Sequence, residues 1–273
     1  MTKNNQKTKI IKDKKGNELI MLRVDKTVKE MMEEKPSSRW DANYWHPKYS
    51  TLEKESKFKI QRLGDFIDFI TYGVILTEAQ RAFANKGIFY ISSTTVTFTG
   101  INFYLNPLFV SSNDPRNKEN KKPQKYDLIF NRSGVGTLGR QCVFLYDSRQ
   151  WTVSDDTDII RLKGINPFYI SVYLKSKYGH LEIEQKSRGV SGLIKINFDD
   201  VGAIRVPVLP DEVQKRVEQG YFKMSKFHDK AMEAKKRGDE KAYKENLARA
   251  EKMLRDLIAK TEAVIRGERK DVI

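Results

Sequence analysis

The sequence predicts an α/β (α+β) domain of mixed strands and short helices, followed by a long coiled-coil-like helical arm or hairpin. Three observations predict this. Between residues 58 and 210, short runs of β-branched and aromatic residues alternate with glycine- and asparagine-rich turns. Pro207 and Pro210 then close that pattern. From Val213 onward, apolar residues recur at alternating steps of four and three, the spacing of a heptad seam.

In chain order, residues 1–17 read as a polar, Lys-rich mobile tail. Leu19, Val24, Val28 and Met31 approach helical spacing and predict a short helix over Leu19–Glu34, stopped by Pro36. The aromatic-basic string from Arg39 to Tyr49 can either stack on bases or clamp a lead-in segment to the domain surface, and the clamp is favoured. A strand is expected near Lys59–Arg62 and another at Gly87–Ile91, with polar loops over 72–86, 92–100 and 111–125. Leu128-Ile129-Phe130, a glycine loop over 131–140 and Gln141–Tyr146 read as strand, turn, strand. Asn166-Pro167 opens a helix through Tyr178, with Gly179 as its C-cap and a second helical piece to Lys186. The seam then runs through Val213, Val217, Gly220, Met224, Phe227, Ala231 and Ala234. Gly238-Asp239 interrupts it, and a second seam takes Leu247, Ala250, Leu254, Leu257, Thr261 and Val264. The phase does not carry across, so the arm either folds back as a hairpin or kinks. A protruding arm is favoured over a hairpin lying on its own domain.

The chain of 273 residues, 39% hydrophobic, can bury one good core plus an accessory element. No apolar run is long enough for a transmembrane helix, the Lys-rich start lacks the apolar stretch of a signal peptide, and a cytoplasmic location is expected. The single cysteine, Cys142, sits in an apolar run and reads as a buried structural thiol. His46, His180 and His228 have no partner at ligand spacing, which argues against a metal site. A net charge of +15, with a basic excess in every part of the chain, suits a polyanionic partner.

Catalytic patterns fail on context. Gly134, Gly136 and Gly139 spell the dinucleotide fingerprint, but the residues after them are strand-like, and the fingerprint needs a helix there to hold the pyrophosphate. Asn106-Pro107-Leu108-Phe109 and Asn166-Pro167-Phe168-Tyr169 approach an amino-methyltransferase motif, but each lacks the second proline. Glu184-Gln185-Lys186, with Asp155, Asp156 and Asp158 upstream, approaches a nuclease set and is read as surface charge. Binding is left. Arg132, Arg140, Arg188 and Lys195 flank two glycine loops, where a backbone can approach a ligand closely and arginine can fork onto phosphate or guanine.

The order of these pieces resembles one target-recognition domain of the specificity (S) subunit of Type I restriction-modification enzymes. The matching pieces are Arg62-Leu63-Gly64-Asp65, Gly87–Ile91, Tyr126–Gly134, Val153–Thr157, Ser187–Gly192 and the passage from Pro207 to Pro210 into a long helix. No single piece is specific, but their order over most of the chain beyond residue 58 is. A full S subunit has two such domains and two arms, so the resemblance is to a half-length form. It implies three parts: an N-terminal segment over 1–50, a target-recognition domain over 51–210, and a helical arm over 211–273 with a dimerisation and spacer role.

The resemblance implies a non-catalytic subunit that reads half of a bipartite site in double-stranded DNA. It would dock methyltransferase (M) subunits, with the restriction (R) subunit as a further candidate partner. The chain itself would need no cofactor; S-adenosylmethionine would sit on the M subunit. A homodimer would supply both halves of the site, through a seam of Val213, Val217, Met224, Phe227, Leu247, Leu254, Leu257 and Val264. Candidate DNA-binding residues around the glycine loops are Arg132, Ser133, Thr137, Arg140, Arg188, Ser191 and Lys195. In the less patterned loops they are Tyr72, Thr94, Thr97, Asn113, Arg116, Lys118, Lys121 and Lys122. Two other classes compete: a protein-interaction module working through the helical hairpin, and a stand-alone nuclease.

Overall fold

The computed structural model describes the backbone at 6–12 and 18–24, and residues 44–273 apart from 78–79, 81–86, 147–149 and 190–193. Strands β1 (Gln6–Lys12) and β2 (Glu18–Val24) pair antiparallel. Part of the expected mobile tail is therefore a strand, and so is the start of the expected Leu19–Glu34 helix. The contiguous run Leu19-Ile20-Met21-Leu22 suits a strand as well as a helix, and a pairing partner decides between them. Positions 25–43, with the rest of that helix and the first half of the aromatic string, lie outside the described residues.

From residue 44 the aromatic string is clamped down, as favoured above. Tyr44, Trp45 and Tyr49 are buried, the Gln185 amide donates to the Tyr44 carbonyl (2.9 Å), and Arg205 donates to the Tyr49 carbonyl (2.6 Å). A short helix α1 (Thr51–Glu55) leads into β3 (Ile60–Arg62) and β4 (Ile67–Tyr72). Two further sheets form the body. One has the order β4-β10-β7-β8, all antiparallel, with β7 at Leu128–Asn131, β8 at Gln141–Val143 and β10 at Thr157–Leu162. The other has β5 (Ile88–Ile91) between antiparallel β6 (Leu108–Val110) and parallel β9 (Trp151–Val153). The connection from β7 to β8 is a glycine turn between antiparallel strands, as expected. Gly134, Gly136 and Gly139 all have positive φ (101°, 73° and 77°), a backbone region open chiefly to glycine.

Asn166 caps α2 (Pro167–Leu174): its side chain accepts from the Phe168 and Tyr169 amides, and Pro167 fits the first helical position. The helix stops at Leu174, and Ser176 caps a separate α3 (Lys177–Lys186). Gly179 is thus not a C-cap. It lies in the first turn of α3, where an added Cβ would stand 2.4 Å from Leu174 Cα and from the Tyr173 carbonyl oxygen. Close backbone approach explains this glycine.

Lys186 also departs from expectation. Within the E-x-K, Glu184 is exposed and pairs with Lys48 (2.6 Å), but Lys186 is buried against Glu182 (2.6 Å). Glu182 is 1% exposed and also receives the Arg205 backbone N–H (2.8 Å), Nε (2.8 Å) and a terminal nitrogen (2.5 Å). Arg205 reaches on to Glu53 of α1. This network ties α3 to α1 and to β11 (Arg205–Pro207), which pairs with β3.

Helices α5 (Asp211–Lys236) and α6 (Glu240–Ile265), preceded by a short α4 (Phe198–Gly202), form an antiparallel hairpin turned by Gly238 at positive φ, with Asp239 accepting from the Ala242 amide. Val213, Val217, Met224, Leu254, Leu257 and Val264 are buried, while Phe227 and Leu247 are half-buried. Gly220 lets Leu257 approach: an added Cβ would meet its Cδ1 at 2.9 Å. Against the protruding arm favoured above, the hairpin lies on its own domain: its seam, expected to join two copies, instead shares one apolar core with Phe168, Tyr173, Leu128 and Phe130. Tyr221 Oη accepts from the Val143 amide (3.2 Å) and joins α5 to β8. Cys142 is fully buried, which pushes its thiol up to about 12.

Candidate nucleic-acid interface

Strand order brings several distant segments to one end of the body. Arg132 and Ser133 leave the end of β7, while Ser154, Asp155 and Asp156 form the turn between β9 and β10. The two glycine loops meet here. Ser133 and Arg188 each bridge to Lys195, the Gly134 amide donates to the Ile194 carbonyl (3.2 Å), and the Ile196 amide donates to the Arg132 carbonyl (2.9 Å). Ser133 Oγ donates to Asp156. Thr137 Oγ1 donates to the Ser133 carbonyl (3.1 Å) and closes the first loop on itself. Arg140 and Lys195 are exposed beside exposed Val135 and Gly136. Arg188 is drawn toward Asp200 (3.0 Å). Ser191 lies outside the described residues.

Tyr72, at the end of β4, is the centre of the second half of this face. Its ring, 42% exposed, stacks with Phe198 of α4, with centroids 6.1 Å apart and planes inclined by 28°. The Arg132 guanidinium lies over both rings, 5.4 Å from Tyr72 and 4.9 Å from Phe198. Lys121 Nζ lies over the Tyr72 ring (4.3 Å) and donates to Thr71 Oγ1 (3.0 Å) and to the Tyr72 carbonyl (2.5 Å). Cations over aromatic faces are held in place without losing their charge. Burial, with the nearby Lys118 charge, pulls the Lys121 ammonium below its usual range.

The polar loop 111–125 is fastened beside Tyr72. Arg116 forks onto Asp114 (2.6 Å) and donates to the Ile75 carbonyl (3.0 Å) and to Gln80 (2.9 Å), and Lys122 pairs with Glu119 (2.9 Å). Asn113 and Lys118 are exposed on this loop. The 92–100 loop divides. Thr94, whose hydroxyl bonds to Ser92 (2.9 Å), lines a cleft of about 230 Å³ with Asn106, Asp155 and Asp156, next to Ser133. Thr97 faces elsewhere, its hydroxyl donating to the Gly100 carbonyl (2.7 Å) in a turn docked on the hairpin. There Thr99 bonds His228 Nδ1 (2.9 Å), His228 Nε2 bonds the Ile101 carbonyl (3.0 Å), and Asn102 donates to Tyr243 Oη (3.2 Å). Both ring nitrogens of His228 are thus used inside the fold.

The face therefore gathers Tyr72, Thr94, Lys121, Arg132, Ser133, Arg188 and Lys195, and leaves Thr97 on the hairpin side. Phe198 is its unforeseen member. It lies 126 residues from Tyr72, and its place beside that ring and under the Arg132 guanidinium has no local signal. The arrangement offers cations, hydroxyls and an exposed ring to a ligand. Among the described residues no group of three or more metal-ligating side chains gathers, and no helix is long and apolar enough to cross a membrane.

No protein-family model and no curated protein matches the chain. Solved structures do. One is the Type I restriction-modification S subunit from M. genitalium, at 12% identity and a TM-score of 0.43, covering 66% of this chain and 41% of that one. Another comes from work on complex assembly and conformational transition of the Type I R-M system, at 15% identity and a TM-score of 0.44, covering 83% and 56%. A third is the HsdS subunit from Thermoanaerobacter tengcongensis, at 15% identity and a TM-score of 0.43, covering 89% and 57%. This chain spans about half the length of the solved chains it matches. The chain is thus similar to solved specificity subunits of Type I restriction-modification systems.

Proposed function

We propose that this protein is the DNA-reading, non-catalytic specificity subunit of a Type I restriction-modification system. The observation that carries this reading is the gathering of cations from separate segments on one face: Lys121 and Arg132 over the exposed ring of Tyr72, with Arg188 and Lys195 on the adjoining bridge to Ser133. Such a face holds a phosphate backbone through charge, and its loops offer hydroxyl and amide groups to base edges. The motif order in the sequence and the net charge of +15 support the same reading. In this reading the rigid, ring-held Arg132 positions the backbone, while the exposed side chains of Tyr72, Thr94, Asn113 and Lys118 supply discrimination. The hairpin serves as a spacer, and a homodimer that reads a split palindrome forms through surface outside its buried seam. Methyl transfer from S-adenosylmethionine belongs to a docked M subunit.

Selection of bound duplexes from a random pool, at about 150 mM salt so that phosphate contacts do not mask specificity, tests this with and without M subunits. A split palindrome is the expected product. A single unsplit half-site would remove the dimer, and no enrichment under either condition would remove the DNA-reading role.

A further inference from the structure

Asp158 opens the candidate face from below. It lies near the start of β10, opposite Tyr72 in the β4–β10 register, and is fully buried. Among the described residues neither carboxylate oxygen has a hydrogen-bond partner. A buried carboxylate ordinarily accepts several donors, so this one is held by charge alone. Arg132, after β7, brings Nε to 3.8 Å from Oδ1, an ion-pair separation without a hydrogen bond. Lys121, from the 111–125 loop, acts on it by charge and donates its own hydrogen bonds to Thr71 and Tyr72. Tyr72 of β4 contributes a phenol ring, and Phe198 of α4 covers the guanidinium without charge. The nearby acids have partners of their own: Asp156 takes Ser133, and Asp200 takes Arg188.

Arg132 is thus oriented by two rings and by a carboxylate too far away to use its fork. A phosphate oxygen can use that fork, and it would bring a second negative charge next to Asp158. We propose that Asp158 is a positioning residue whose charge holds Arg132 until a DNA phosphate replaces it, and that Asp158 then takes a proton from solvent. This inference rests on the DNA-reading role proposed above.

The sign follows from the environment. Burial already holds the Asp158 carboxyl up to about 7, against the pull of Arg132 and Lys121. A bound phosphate raises it further, so binding takes up a proton above that value and affinity falls as the pH rises. One linked proton changes the dissociation constant by at most about tenfold per pH unit.

The test is fluorescence anisotropy with a labelled mixed-sequence duplex at fixed salt, from about one unit below to about 1.5 units above neutrality. Wild type should weaken by up to about tenfold per unit on the alkaline side. Asp158→Asn should stay flat at the affinity that wild type reaches at the acid end. Calorimetry of wild type alone, in two buffers of different ionisation heat, should show uptake approaching one proton, and this readout does not depend on how the variant folds. Parallel pH profiles, or DNA binding without proton uptake, would overturn the inference and leave the DNA-reading role standing. If neither protein binds duplex DNA even at low salt, the role itself fails and the inference with it.

Discussion

Removing the Glu182 carboxylate should be among the most damaging single changes in the domain. In Glu182→Ala, Lys186 keeps one neutral acceptor, the Gln185 amide oxygen at 3.2 Å, and loses its counter-charge while 3% exposed. Arg205 loses its three bonds to Glu182 but keeps Glu53 and the Tyr49 carbonyl. Charge-assisted hydrogen bonds contribute about 1.5–3 kcal/mol each, and those in one network do not add. The deciding term is the orphaned buried ammonium, which places the loss at about 3–5 kcal/mol. In a domain of this size that is roughly 6–20 °C in Tm, from about 2–4 °C per kcal/mol. Urea denaturation at neutral pH reads it directly. A second variant isolates the cause: Glu182→Leu with Lys186→Met removes the orphan and leaves Arg205, whose side chain is 26% exposed, to Glu53. The double variant should be more stable than Glu182→Ala. If the single variant loses less than about 1 kcal/mol, or the double is the weaker, the pair is not acting as a buried charge pair and the reasoning fails.

Four further outcomes are expected. Leu254→Ala, at a fully buried seam position, should cost about 2–5 kcal/mol in denaturant titration. Gly179→Ala should destabilise by about 1–3 kcal/mol, since its Cβ would press on backbone at 2.4 Å; on an open helix the same change would be favourable by up to about 1 kcal/mol. The Cys142 thiol, buried and pushed up to about 12, should resist a thiol reagent near pH 8 until the protein unfolds, which timed labelling in denaturant will show. For Asp158 the folded carboxyl, at about 7, binds its proton more tightly than the unfolded chain, whose value is about 3.9. Its stabilising share is therefore complete below about pH 4 and is lost as the pH rises toward 7, by up to roughly 4 kcal/mol. Asp158→Asn should remove that slope when denaturant midpoints are compared at acid and alkaline pH.

Local signals carried much of the fold. The β7–turn–β8 unit was legible because its glycines fall between β-branched and aromatic runs, and the absence of a helix after Gly139 was visible in Cys142, Val143 and Phe144. The break at Gly238-Asp239 showed that the seam is interrupted and left a hairpin and a kink both open; Gly238 at positive φ turns it as a hairpin. Errors arose where a distant partner decides. Residues 18–24 became a strand because 6–12 pair with them. Gly179 reads in sequence as a C-cap, but its reason is the backbone of Leu174 packed against it. Lys186 could have been recovered, since Glu182 stands four residues before it, the spacing of a helical ion pair. In the candidate face, the cations beside the glycine loops were legible as basic residues near turns. The junction of Tyr72 with Phe198 of α4, and the unbonded Asp158 that β10 sets opposite Tyr72 of β4, join segments far apart in the chain and left no trace in any one of them.

The turn at 97–102 has a mechanical consequence. Thr99, Ile101 and Asn102 are bonded to His228 and Tyr243, so the hairpin is gripped well beyond its root. Lengthening α5 and α6 can then preserve that grip only if the extra residues enter beyond Ala231 and before Tyr243, in matched blocks. Seven residues in each helix would add about 10.5 Å of reach with a slip of only about 20° in the seam. A single added residue would turn the tip by about 100° and swing Met232 out of its buried position. Reach can therefore change in steps of two helical turns, like a gear that engages only at whole teeth.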